Sequence, residues 1–253
     1  MNTTYYRLEL RRVLRDRASL FFIVGLPGFL YLIFGAQPDY GDEPVRDGNV
    51  SMWIMIAMAA YGAVTATTGI GGSAALERMQ GWTRQLGLTP LRARDFVAVK
   101  AATAVTIAAL PIAVVFAIGA ATGAKAPIHV WIISAVALVL GAVTFALYGL
   151  VFGLAFRSEA AVSAAGGSLV ILSFLGNIFV PLVGWQLTLA KFTPLYGYVS
   201  LARRALTGGS NVDPETNELI PEPLWQSVVN VGVWTTLLAV AAMYLVQRGR
   251  SRQ

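Results

Sequence analysis

Few residues in this 253-residue chain are equipped for bond-making chemistry. Cysteine is absent, which removes thiolate nucleophiles, thiolate metal sites and disulfides. The one histidine, His129, falls in an expected loop between apolar runs. A zinc site of several histidines and a Ser/His dyad both need more than that. Gly69, Gly71 and Gly72 in the run GIGGSA superficially match a dinucleotide-binding turn, but no strand precedes them and they sit in an apolar stretch. Close helix packing is the better reading of such glycines. No GxxxxGK[ST] occurs, so the common phosphate-cradling loop is missing. The chain is expected not to be an enzyme and to carry no cofactor or metal of its own.

The elements that would position any site are apolar helices. Apolar residues make up 56% of the chain and charged residues 13%, with a mean hydropathy of +0.64, where a soluble domain carries about a quarter charged residues. The net charge of +6 is spread between apolar runs instead of forming one basic face, so nucleic acid is not an expected partner. Six stretches, 18–36, 51–76, 96–122, 128–156, 160–186 and 224–247, come close to or exceed the roughly 20 apolar residues that a bilayer crossing requires. They predict an all-α integral membrane protein, a single transmembrane domain over 1–253 with six transmembrane helices. The first is expected to be retained, since a basic helix flanks it and no small-residue cleavage site follows.

Orientation follows from the positive residues. With both termini in the cytoplasm, 14 of the 19 Lys and Arg fall inside and 5 outside. Residues 1–17 predict an amphipathic helix: Tyr6, Leu10, Val13 and Leu14 recur at helical spacing, and Arg7, Arg11 and Arg15 form a stripe that would face lipid headgroups, a simple topogenic charge cluster being the alternative. Within the expected spans the ionisable residues are Lys100, near an inner end, and Arg157, at a boundary. Proton- or sodium-driven transporters usually keep a titratable group mid-span, so the driving force is expected from elsewhere.

Residues 77–95, ERMQGWTRQLGLTPLRARD, form the one substantial cytoplasmic excursion between spans. Trp82, Leu86, Leu88 and Leu91 alternate with charges, and Pro90 stops a short helix begun near Gly81. Its apolar face has no soluble domain in this chain to receive it, which implies a separate cytoplasmic partner or the lipid surface. The run Glu77-Arg78, Gly81, Gln85-Leu86, Thr89-Pro90-Leu91 resembles the coupling-helix signature of the membrane subunits of ABC-2 type exporters, departing from it at Trp82, Thr83, Arg84 and Gly87. A second stretch, 179–209, is similar to that family's short helical re-entry before the last span, through Pro181, Trp185, Pro194, Tyr196, Tyr198 and the Arg204-Ala205-Leu206 ending.

The resemblance implies an ABC-2 (type V exporter-like) fold with a cytoplasmic coupling helix at 77–95 and extracellular re-entrant helices within 187–223. It implies a half-transporter in a bacterial cell membrane, paired with a second copy or a similar permease and driven by a separate ABC ATPase that binds ATP and Mg. Glu77, Arg78, Gly81, Trp82, Arg84, Leu86 and Pro90 would meet that ATPase. The pathway would be a slit between the second and fifth spans, which makes Thr65, Thr67, Thr68, Phe174, Asn177 and Phe179 candidates, ordinary helix packing being the alternative. An apolar slit suits a hydrophobic or amphipathic substrate such as a drug or lipid. The rival readings are an ABC-linked sensing or anchor subunit and a non-ABC membrane transporter.

Overall fold

The computed structural model describes residues 3–73, 77, 93–156, 160–212 and 219–250. Its helices are α1 Thr3–Arg15, α2 Arg17–Phe34, α3 Val50–Gly72, α4 Ala93–Thr122, α5 Ile128–Ala155, α6 Ala160–Leu175, α7 Gly184–Ala190, α8 Pro194–Thr207 and α9 Leu224–Arg250. Two small antiparallel hairpins pair β1 Pro44–Val45 with β2 Gly48–Asn49, and β3 Ser210–Val212 with β4 Leu219–Pro221.

Among the described residues α2, α3, α4, α5 and α9 are long and apolar enough to cross a membrane. Their burial sets the layout. In α3, 72% of the apolar stretch is buried, against 17% in α2 and 11% in α9. Thus α3 is the central post, packed chiefly on α4 and α5, while α2 and α9 present apolar surface to lipid. Lipid tails are as apolar as leucine, so backbone proximity replaces hydrophobic burial as the source of packing. A Cβ on Gly149 of α5 would stand 2.1 Å from the Thr68 carbonyl oxygen, and one on Gly71 of α3 2.3 Å from that of Ala146.

Helix starts and bends have local causes. The Asp16 carboxylate accepts from the Ser19 amide (3.1 Å) and hydroxyl (2.7 Å), which caps α2. Pro27 gives no N–H, and the chain widens into a π-helical turn over Phe21–Gly25 just before it. At the start of α3, the Asn49 side-chain oxygen accepts from the amides of Met52 (3.0 Å) and Lys125 (2.9 Å), while its nitrogen donates to Gly123 (2.8 Å). One cap thereby ties α3 to the α4–α5 connection.

Two expectations change. The stretch 160–186 is not one helix. The helix α6 stops at Leu175, and Asn177 takes a left-handed φ of 60°. From Ala160 to Leu175 the helix rises about 24 Å before the break. The chain continues through α7 and α8, which ends on Gly208 at φ 61°. Nor does α1 simply rest on headgroups: it docks on α4, with Tyr5 and Glu9 buried, Tyr6, Leu10 and Val13 packed on the bundle, and Leu14 exposed. The tyrosine hydroxyl of Tyr6 and the Thr106 hydroxyl share a 2.7 Å hydrogen bond.

Candidate functional site

Three elements far apart in sequence meet in a buried ionic cluster at the α1 end of the bundle. Lys100 on α4 is 1% exposed, Glu9 on α1 4%, and Glu77, beyond the end of α3, 2%. The Lys100 ammonium donates to both carboxylates. Arg12 adds a 2.8 Å bond to Glu77, and the Ser73 hydroxyl lies 3.5 Å from the same oxygen. Tyr5 stacks on Phe96 at 6.3 Å between ring centroids, and the Lys100 ammonium stands 6.0 Å from that ring. Burial first, then the neighbouring Glu77 and Glu9 carboxylates, pushes the Tyr5 phenol above its ordinary pKa.

The formal charges of Glu9, Glu77, Lys100 and Arg12 cancel. A buried charge is tolerated only when paired, so displacing any one of the three elements strands a charge. Mechanically, α1, α4 and Glu77 are held as one unit. Of the residues expected to face a cytoplasmic partner, Glu77 is instead turned inward on Lys100. Arg78, Gly81, Trp82, Arg84, Leu86 and Pro90 lie outside the described residues. Sequence reading missed Glu9 and the pairing of Lys100. The available signals were that Glu9 is the one acid in α1 and that a lysine in an apolar helix needs a partner.

The expected pathway residues divide. Thr67 bonds the carbonyls of Ala63 (2.9 Å) and Val64 (3.2 Å) in its own helix, and Thr68 reaches Phe145 on α5 (3.3 Å). Both are buried packing residues. Tyr61, Thr65 and Gly69, spaced by four, form a less buried stripe on α3. Beside it Phe179 packs on Tyr61 at 5.2 Å and on the exposed Phe174 at 5.1 Å. An aromatic strip therefore joins α3 to the end of α6.

Asn177 is not inside a helix. It shapes the turn after α6, where its side-chain oxygen accepts from the Leu182 amide (3.2 Å) and its carbonyl receives Arg203 of α8 (2.6 Å). Arg203 is 3% exposed, its guanidinium stacks 3.5 Å from the Trp53 ring centroid, and burial pulls its pKa down to about 9. Nearby Glu222 accepts from Tyr196, from Ser200 (2.8 Å) and from Asn211 (3.2 Å). Burial pushes its carboxyl up to about 7, with Lys191 pulling the other way. These residues line a cavity of about 10 Å³, room for about one water. It is a structural polar knot at the hairpin end, too small for a substrate.

Over 244 residues, 94% of this chain and 93% of the relative, the chain is 23% identical to a Bacillus subtilis (strain 168) protein named "Putative transport permease YvfS". No family model matches. The five long apolar helices among the described residues support a multi-pass membrane protein, and the end-to-end similarity is to a protein named as a transport permease.

Proposed function

We propose that this chain is the membrane subunit of an ATP-driven exporter of the ABC-2 type, working with a second copy or a similar permease and with a separate ATPase that binds ATP and Mg. The observation that carries the reading is the buried Glu9–Lys100–Glu77 cluster. A push on residues 77–95 from a cytoplasmic partner reaches α1 and α4 through paired buried charges, and α4 packs on the central α3. The stripe Tyr61, Thr65, Gly69 with Phe174 and Phe179 is the surface on which a second subunit would close a slit for a hydrophobic or amphipathic substrate. In this reading the α1 end is cytoplasmic and the hairpin end is outside. The motif resemblance of 77–95 and 179–209 and the similarity to a transport permease support it.

The test is co-purification with the candidate ATPase and measurement of membrane-stimulated ATP hydrolysis. Leu86→Asp places a carboxylate in the proposed apolar contact, where an unpaired buried charge costs several kcal/mol. Insertion should survive while the complex, and the stimulated hydrolysis, are lost. Leu237→Ala on the lipid side of α9, where Leu237 is 57% exposed, should change neither. The chain alone should hydrolyse nothing. Normal stimulation with Leu86→Asp would place the partner's grip elsewhere and remove this reading of 77–95.

A further inference from the structure

Between α5, α8 and α9 the packing leaves an open groove of about 690 Å³ at the hairpin end of the bundle. That volume lies within the range of small-molecule sites, about 300 to 1,000 Å³. It is on the far side of α5 from α3, and shares no residue with the Tyr61 stripe or with the ionic cluster. Its walls include Ile133, Ala137 and Leu140 of α5 and Leu224 and Val231 of α9, and they are almost wholly apolar.

The polar groups along the walls are already satisfied. Thr144 and Thr235 bond each other at 2.6 Å and close the deep end, and the Tyr198 hydroxyl donates to the Leu138 carbonyl at 2.9 Å. Nothing in the floor asks for a polar ligand. From Ile133 to Thr144, and from Leu224 to Thr235, the walls run about 16 Å at 1.5 Å per residue. That is about half of the roughly 30 Å hydrocarbon core, the depth of one leaflet.

The rim is charged. Arg204 of α8 lines the groove at its open end and donates one N–H to the Glu222 carbonyl (2.9 Å). It pairs with no carboxylate among the described residues, and a guanidinium carries five donors. The chain makes room for it: a Cβ on Gly209, which has a φ of 78°, would stand 2.8 Å from an Arg204 nitrogen. Trp225, 64% exposed at the start of α9, marks the same level as an interfacial one.

We propose that this groove binds an anionic phospholipid of the leaflet at the hairpin end, one acyl chain lying between α5 and α9 and its phosphate meeting Arg204. The rim argues for a lipid over a helix of another copy as the occupant: a guanidinium with spare donors at the open end of an apolar groove one leaflet deep matches a headgroup phosphate above an acyl chain. The inference stands apart from the export reading and uses it only to name the leaflet as the outer one.

The experiment reconstitutes the full chain in vesicles of equal phosphatidylglycerol and phosphatidylcholine, extracts it gently and counts retained lipids by native mass spectrometry. Wild type should keep phosphatidylglycerol over phosphatidylcholine by roughly fivefold, the worth of one interfacial cation toward anionic lipid. Arg204→Gln should bring the two lipids to parity while keeping a bound chain. Ala137→Phe, which fills the groove, should strip both lipids, whereas Val136→Phe, on an exposed neighbour outside it, should strip neither. Three results overturn the proposal: a lipid ratio indifferent to Arg204→Gln, equal retention in Ala137→Phe and Val136→Phe, or a second copy of the chain that leaves with Ala137→Phe. Melting curves of each variant separate lipid loss from misfolding, since Arg204→Gln and Val136→Phe both lie at exposed or half-exposed positions.

Discussion

Replacing Lys100 by methionine keeps the length of the side chain and removes the ammonium that holds Glu9 and Glu77. Neither carboxylate side chain is more than 5% exposed, and among the described residues the remaining cation, Arg12, pairs with Glu77 and has a half-exposed side chain. Glu9 is thereby left without its ammonium partner in a site that water barely reaches. Removing one member of a buried ion pair costs about 3–5 kcal/mol, a large share of the 5–15 kcal/mol by which a typical native state is stable. Glu9→Gln in the same background takes away the stranded charge, so the double variant should be more stable than the sum of the two single losses predicts, by about 1.5 kcal/mol or more. Unfolding of wild type, both single variants and the double variant in mixed micelles gives the coupling energy directly. A Lys100→Met loss below about 1 kcal/mol, or strict additivity with Glu9→Gln, would refute the argument that a water-excluded charge cluster locks α1 to α4.

Tags at residue 2, at Arg84 and after Gln253 should report one side of the membrane and tags near Asp42 and Asn217 the other, by the distribution of Lys and Arg; labelling of Arg84 from the Asp42 side would overturn the span order. The Glu222 carboxyl, raised to about 7 by burial, holds more protons folded than unfolded. Stability should therefore fall as pH rises from about 4.5 to about 7 and level off above, by about 3 kcal/mol at most, and Glu222→Gln should remove that slope; an unchanged slope in melting experiments would show that another group titrates. Gly149→Ala forces a methyl into the Thr68 backbone 2.1 Å away and should cost about 1–3 kcal/mol or separate α3 from α5, while Gly232→Ala, with open space around it, should be neutral in the same melting assay.

The membrane character of the chain, its long helices and their order are legible in the sequence because they depend on local quantities. A long apolar run exposed to lipid satisfies its own backbone most directly as a helix, since no water is there to do so. Hence α3, α4, α5 and α9 lie within a few residues of the expected bounds. The amphipathic pattern of α1 is local in the same way.

The failures share a cause too. The apolar run from Ala160 to Gln186 cannot announce that it breaks at Asn177, because the break is held by Arg203 and by Asn211, 26 and 34 residues away. Nothing near Lys100 in the chain names Glu9, 91 residues distant, as its partner. Thr65 and Thr68 read alike in sequence, yet one lies on the open stripe of α3 and the other against α5. The lipid-deep groove beside Arg204 is a gap between three helices and has no sequence signature at all. Hydrophobicity fixes which segments leave water one segment at a time, whereas which faces meet, which charges pair and where packing leaves space depend on contacts between segments, and those exist only once the bundle has closed.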